Sequence, residues 1–218
     1  MSSSPYREDL KHQRNGETEK RKATNWKGEM AKKPTKQKGI KYNRQKHISD
    51  KNMATKFDPR LKEVVLYTDG SCLKNPGGAG GVAAIVRFGE HYKTVQEGFR
   101  STTNNRMEML AAIRGLDLLN QKCNVTIYTD SQYLINGISL WIKGWKKRGW
   151  KLANGERVKN VDLWQELDAA VSGHRVRWCW VKGHDGNPDN ELCDMMARSA
   201  AESPTMVDRI YESICAYN

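Results

Sequence analysis

The sequence predicts an α/β domain behind a basic tail, and three observations carry that prediction. An apolar run at residues 63–68 leads into Asp69-Gly70-Ser71, and the same grammar returns at Ile127-Tyr128-Thr129-Asp130-Ser131. Two strands of buried type therefore each deliver an aspartate at the C-terminal end, where sites collect in open α/β sheets. Helical stripes alternate with the later strands, the clearest being Met109, Ala112, Ile113, Leu116 and Leu119, spaced at three to four residues. Charge is unevenly spread. Of a net +12, residues 1–60 carry +10 and the remaining residues +2.

The first 60 residues hold few large apolar side chains, with no sustained period. They read as disordered, since too little apolar surface is available to offset the entropy of ordering. Their charge points to a polyanion, nucleic acid first and an anionic membrane second; a solvated tail without a specific role is the alternative. Asp58-Pro59 marks the boundary, giving a tail at 1–60, a folded domain at 61–203 and a short C-terminal extension at 204–218.

The elements follow in order. Residues 63–68 are apolar on both faces and predict a central strand. Residues 77–81 form a glycine-rich loop without a phosphate-binding signature. Strands at 82–88 and 91–99 flank Gly89-Glu90, with glycine where a type II′ turn wants it. Thr102, Thr103, Asn104 and Asn105 precede a helix running to about Asn120. On it Glu108, Ala111, Ala112 and Gly115 make a strip of small residues below a carboxylate, suited to close approach on a sheet. From this segment alone, Glu108 reads first as a capping-box partner of Asn105.

A fourth strand at 125–129 ends in Asp130, and a short helix at 132–138 follows. Residues 141–151 hold Trp141, Lys143, Trp145, Lys146, Lys147, Arg148, Trp150 and Lys151 and no acid. Aromatics interleaved with cations suit a nucleic-acid backbone. Trp141 and Trp145, four apart, also predict an amphipathic helix with the tryptophans inside and the cations outside. A helix at 160–171 turns Leu163, Trp164 and Leu167 inward. The fifth strand alternates Val176, Trp178 and Trp180 with Arg175, Arg177 and Cys179. After the loop at 181–186, Asn187-Pro188 opens a last helix, cap then proline, with Asn190 and Asp194 four apart on one face.

Five cysteines form no CxxC pair, and no secretory apolar core opens the chain, which points to a reducing compartment, the cytoplasm, with a nucleoid or organellar location as the alternatives. The acidic residues near the start do not suit a transit peptide. No apolar run reaches the length of a membrane span, and of the two polyanions nucleic acid, not a membrane, is the expected partner.

Asp69, Glu108, Asp130 and Asp194 each have a bland reading as a cap or surface charge. Together they make sense if they converge. Two carboxylates ~4 Å apart repel by about 4 kcal/mol at an effective dielectric near 20, so such a cluster needs protons or cations. All-oxygen ligands suit Mg²⁺ or Mn²⁺ and not zinc. Two such ions can activate water and stabilise a leaving oxygen in phosphoryl displacement. His184, just before the Asp194 helix, is placed to move protons.

The segments TDGSCLKNPG, TTNNRMEM, YTDSQYLINGI, WIKGWKKRGWK, NVDLWQELD and WVKGHDGNPDNELCD resemble, in order, those of bacterial-type ribonuclease H, type 1. The resemblance runs from about residue 61 to 201. It implies a ribonuclease H-like mixed five-stranded sheet, its first three strands antiparallel, with helices on both faces. It implies an Mg²⁺-dependent endonuclease that cuts the RNA strand of RNA–DNA hybrids and leaves 5′-phosphate and 3′-hydroxyl ends. Asp69, Glu108, Asp130 and Asp194 become metal ligands and catalytic acids, and His184 the proton-transfer residue. Cys72, Asn75, Asn104, Asn105 and Gln132 match hybrid-contacting positions, Thr103 a DNA-phosphate position, and residues 141–151 a basic handle on the DNA strand. Asn190 joins the candidate substrate contacts, and the enzyme is expected to be a monomer.

Two residues depart from the family pattern. Asp185 follows His184, where a carboxylate would raise the histidine pKa. Lys74 stands in the first loop, where it could meet a phosphate. The competing readings are a DNA-cutting polynucleotidyl transferase of the wider superfamily, which would lack the handle and the His184 loop, and a non-catalytic hybrid-binding module, which would have lost a carboxylate.

Overall fold

The computed structural model describes residues 56–183 and 185–216. The sequence readings of the tail, save residues 56–60, and of His184 lie outside the described residues.

Five strands form one sheet in the order β3-β2-β1-β4-β5. They are β1 (Glu63–Cys72), β2 (Gly80–Phe88), β3 (His91–Phe99), β4 (Asn124–Thr129) and β5 (Arg175–Trp180). β1 pairs antiparallel with β2, and β2 with β3. β1 pairs parallel with β4, and β4 with β5. The apolar run of β1 ends at Thr68, yet the strand continues to Cys72, because Ser71 and Cys72 pair with Gly81 and Gly80 of β2. Part of the expected glycine loop is therefore strand. The β2–β3 turn has Gly89 at φ +57°, as its position asks.

Side chains alternate across β1. Tyr67 packs with Ala83, Ile85, Cys193 and Ala197 under α5 (Pro188–Glu202). Leu66 faces the opposite way, against α1 (Asn104–Asp117), where Ala111, Ala112 and Gly115 let the helix lie low on the sheet. α1 is capped by Thr103 and stops at Asp117, short of the expected Asn120. α4 (Val161–Ser172) packs against α1 and buries Leu163, Trp164 and Leu167 completely.

Between β4 and α4 the chain forms α2 (Gln132–Asn136), a π-helical turn over Gly137–Trp141, and α3 (Ile142–Lys147). This corrects the expectation that both tryptophans face inward. Trp145 is 7% exposed, with its ring centroid 5.3 Å from that of Trp164, while Trp141 is 38% exposed. The π turn rotates the helix between α2 and α3, which turns Trp141 toward solvent. β5 departs from strict alternation too. Val176 and Cys179 are buried, whereas Trp180 is 40% exposed at the sheet's edge.

The segment after α5 is tied back into the domain. The Thr205 and Met206 N–H groups both donate to Gly98 O, at 3.0 and 2.8 Å, and Arg100 N donates to Met206 O at 3.0 Å. Asp208 is fully buried ahead of α6 (Arg209–Ala216). At the other end, Asp58 N donates to Asn124 Oδ1 (3.0 Å) and Asn124 Nδ2 to Asp58 O (2.7 Å). The Arg177 guanidinium lies 4.3 Å from the Phe57 ring centroid. The folded body thus takes in residues 56–60.

Candidate active site

Asp69 lies in β1 just past its apolar run, at a point where the sheet meets α1. A Cβ on neighbouring Gly70 would stand 2.2 Å from Glu108 N. Only glycine admits the first turn of α1 there, and that approach brings Glu108 to the Asp69 end of β1. Asp130 leaves the C-terminal end of β4, which runs parallel beside β1. Asp194 projects from α5, on the sheet face that Tyr67 and Asp69 share.

Asp130, Asp194 and Glu108 all act on the Asp69 carboxyl through their charges. Asp69 is 8% exposed, and its carboxyl is pushed up to about 8. Burial is the main cause, followed by the charge of Asp130, with smaller contributions from Asp194 and Glu108 and opposition from the Gly70 N–H, 2.8 Å from Oδ1. Glu108 is raised to about 7, by burial first and also by Asp130. Hydrogen bonds hold it back. Asn104 Nδ2 donates to Oε1 at 2.8 Å, and Ser131 Oγ donates to Oε2. Glu108 is therefore not a capping-box residue; its carboxylate is turned to the Asp130 turn. Asp194 accepts from Arg198 Nε at 2.8 Å.

Among the described residues, no three His, Cys, Asp or Glu side chains stand as a ready metal-ligating group. Glu108 is turned to Asn104 and Ser131, and Asp194 to Arg198, so neighbouring donors and the Arg198 guanidinium offset part of their charge. The donor set nonetheless fits a hard divalent cation. It is all oxygen, and Asp69 and Glu108 are raised by burial first and then by neighbouring carboxylate charge, both of which a bound cation would offset.

The other candidates are placed as follows. Cys72 is half-buried, with Sγ 3.7 Å from both Gly78 O and Thr102 O. Asn75 is exposed, and its Oδ1 accepts from Asn104 N at 3.1 Å, tying the β1–β2 turn to the start of α1. Asn105 and Gln132 are exposed, while Thr103 and Asn104 are half-buried. Asn190, read as a substrate contact, is 2% exposed, and its Oδ1 has no hydrogen-bond partner. In the basic segment Lys143, Lys147 and Lys151 are exposed. Lys146 Nζ pairs with Asp168 at 2.7 Å, and Arg148 Nε donates to Lys151 O at 3.1 Å.

Sequence reasoning missed a buried ion-pair hub behind the site. Arg106, two residues before Glu108, is 1% exposed. Its Nε and Nη2 reach Asp208 at 2.6 and 2.9 Å, and its Nη1 and Nη2 reach Asp162 at 3.0 and 2.7 Å. Thr102 Oγ1 also donates to Asp208, at 2.8 Å. The hub ties the first turn of α1 to the start of α4 and to the C-terminal segment. Ser131 was also missed, though a serine directly after a strand and before a helix is a readable N-cap. It caps Leu134 N at 3.1 Å while donating to Glu108.

A family model described as RNase H matches residues 61–202. Proteins named ribonuclease H from Salmonella arizonae and Salmonella newport are each 56% identical over 153 residues, covering 70% of this chain and 98% of theirs. Among solved structures, LC9-RNase H1, described as a type 1 RNase H with the type 2 active-site motif, aligns with a TM-score of 0.61 at 35% identity. It covers 68% of this chain and 76% of that one. A foamy viral protease-reverse transcriptase in complex with an RNA/DNA hybrid aligns at TM-score 0.57 and 16% identity, over 76% of this chain and 22% of that one. At that identity the likeness is one of fold alone.

Proposed function

Since the chain belongs to the ribonuclease H family, a family of nuclease hydrolases, we propose that it cuts the RNA strand of RNA–DNA hybrids internally, by two-metal-ion hydrolysis that leaves 5′-phosphate and 3′-hydroxyl ends. The observation that carries this reading is the electrostatic convergence of four acids, with Asp69 raised by burial and by Asp130, Asp194 and Glu108 together.

Asp69, Glu108, Asp130 and Asp194 would hold the ions. Bound Mg²⁺ or Mn²⁺ supplies Lewis acidity at the phosphate and lowers the pKa of an attacking water. The chain's own residues do the rest. Asn104 and Ser131 hold the Glu108 carboxylate at fixed orientation, which spares reorganisation during the reaction. The Gly70 N–H holds Asp69. In the same reading His184, ten residues before Asp194 in the sequence, moves a proton to or from the attacking water.

Asn75, Asn104, Asn105 and Gln132 line the approach on the loop and helix starts around the acids. There they can sense 2′-hydroxyls, which mark the RNA strand. The exposed Lys143, Lys147 and Lys151, with Trp141 at the surface beside them, meet the phosphates of the DNA strand. In the same reading the basic tail adds nonspecific nucleic-acid contacts, and the protein works as a monomer in a reducing compartment, the cytoplasm.

The test is incubation of the full chain with an end-labelled hybrid, with Mg²⁺ and with excess chelator. The expected result is internal RNA cleavage in Mg²⁺ with the DNA intact, and no cleavage with chelator. Cut DNA, or binding without cleavage, overturns the reading.

A further inference from the structure

The turn that bears Asp130 is gripped by a residue to which none of the roles above assigns a task. The β4–β5 ladder ends with Thr129 opposite Trp180, and Val181 N donates to Thr129 O at 3.0 Å. Asp130 is the first residue past the ladder. Its carbonyl oxygen accepts from Trp180 Nε1 at 3.0 Å. A side chain thus supplies the next rung after the backbone has stopped supplying one.

The rest of the surroundings act on the same residue. Two positions past Val181, a Cβ on Gly183 would stand 2.6 Å from Asp130 Oδ2, so the loop after β5 passes close to the carboxylate with room for glycine. On the α1 side, Ser131 is bound to Glu108. Trp180 is 40% exposed at the sheet's edge, so its ring is only partly packed. What it does make is a hydrogen bond to the peptide that orients Asp130.

We propose that Trp180 is a positioning residue for the nuclease reaction: its indole N–H fixes the Asp130–Ser131 peptide, and with it the direction of the Asp130 carboxylate and the Ser131 hydroxyl that holds Glu108. The proposal rests on the nuclease reading above. Without the indole, that peptide keeps only the donation of its Ser131 N–H to Thr129 Oγ1 at 3.2 Å and loses the bond that fixes its carbonyl; a displacement of about 1 Å at a reacting group costs on the order of a hundredfold in rate. The effect falls on the acids and not on the grip on the hybrid, so turnover and metal affinity change while hybrid affinity does not.

The experiment uses the full chain with Trp180→Phe, which keeps an aromatic ring and removes the N–H. Three quantities are read: kcat and KM on a labelled hybrid, the Mg²⁺ concentration giving half of the Mg²⁺-induced rise in unfolding temperature, and the unfolding temperature without metal. The expected result is a loss of about tenfold in kcat, a fraction of the cost of full misplacement. KM stays within about twofold, the Mg²⁺ midpoint rises severalfold, and metal-free stability is retained, as for a surface substitution. Gly183→Ala, which pushes on the carboxylate without touching the indole, should give the same signature. Unchanged kcat and Mg²⁺ midpoint overturn the proposal. So does a raised KM at constant kcat, which would make the ring a stacking platform for the hybrid, and so does a parallel loss of kcat and metal-free stability. Should the wild-type protein neither cut hybrid nor respond to Mg²⁺, the nuclease reading itself fails; the proposal alone fails when wild type is active and Trp180→Phe matches it.

Discussion

Asp69→Asn should make the metal-free protein more stable while abolishing cleavage. In the folded chain the Asp69 carboxyl is raised from its ordinary 3.8 to about 8, by burial and then by Asp130. Between those two pH values the folded state holds a proton that the unfolded state has released. Stability therefore falls as pH rises through that window and levels off above about 8. Each pH unit costs at most about 1.4 kcal/mol, so the ionised carboxylate costs several kcal/mol at pH 8. Glu108, Asp130 and Asp194 share that repulsion and relax once one charge is removed. We therefore expect a gain of about 3 kcal/mol for the amide, or roughly 6–12 °C in Tm for a domain of this size.

The assay is thermal or urea unfolding of both proteins in chelator, at pH 8 and pH 5. The gain should shrink severalfold at pH 5, where the folded carboxyl is already protonated. Mg²⁺ should stabilise the wild type more than the variant, because a cation relieves the same repulsion. A variant no more stable than wild type at pH 8, or a gain equal at both pH values, would refute the electrostatic account of the site.

Further predictions come from the partners of the acids and from the charged surface. Ser131→Ala removes a hydrogen bond that lowers the Glu108 pKa, which burial nonetheless raises to about 7. The Glu108 pKa should rise, and the acid limb of the pH–rate profile should move to higher pH; an unmoved limb counts against Glu108 acting as an anion. Arg106→Ala leaves Asp208 buried without its guanidinium, and equilibrium unfolding should show a loss of about 3–5 kcal/mol. Lys147→Gln should weaken hybrid binding equally across sequences and reduce the slope of log affinity against log salt by about 1. Removing residues 1–55, and not 1–60, should flatten that slope further while keeping the Asp58–Asn124 bonds; a slope unchanged by the truncation would leave the tail without phosphate contacts.

Much of the architecture is local in origin and could be read along the chain. The two strand-then-aspartate runs, the Gly89 turn, the α1 stripe and the Asn187-Pro188 start of α5 depend on periodicity and on backbone preferences of single residues. Each is decided within a few neighbours. The ordered motifs then named a family, and so which acids to watch.

Other features required the folded chain. β1 runs past its apolar stretch because β2 offers partners to Ser71 and Cys72, and strand length there is set by pairing. Trp141 faces solvent because a π turn shifts a register that its spacing from Trp145 alone could not reveal. Asp208 is ordinary in sequence, yet it is buried because Arg106, 102 residues earlier, needs a second carboxylate. Trp180 matters for a hydrogen bond to a residue 50 positions away. Composition and spacing determine which helices and strands form and where the acids sit on them. Whether those acids meet, how far burial and mutual repulsion raise their pKa values, and which neighbours hold them are properties of distances through space. Those distances exist only once the sheet has brought β1 beside β4 and the helices have closed over its two faces.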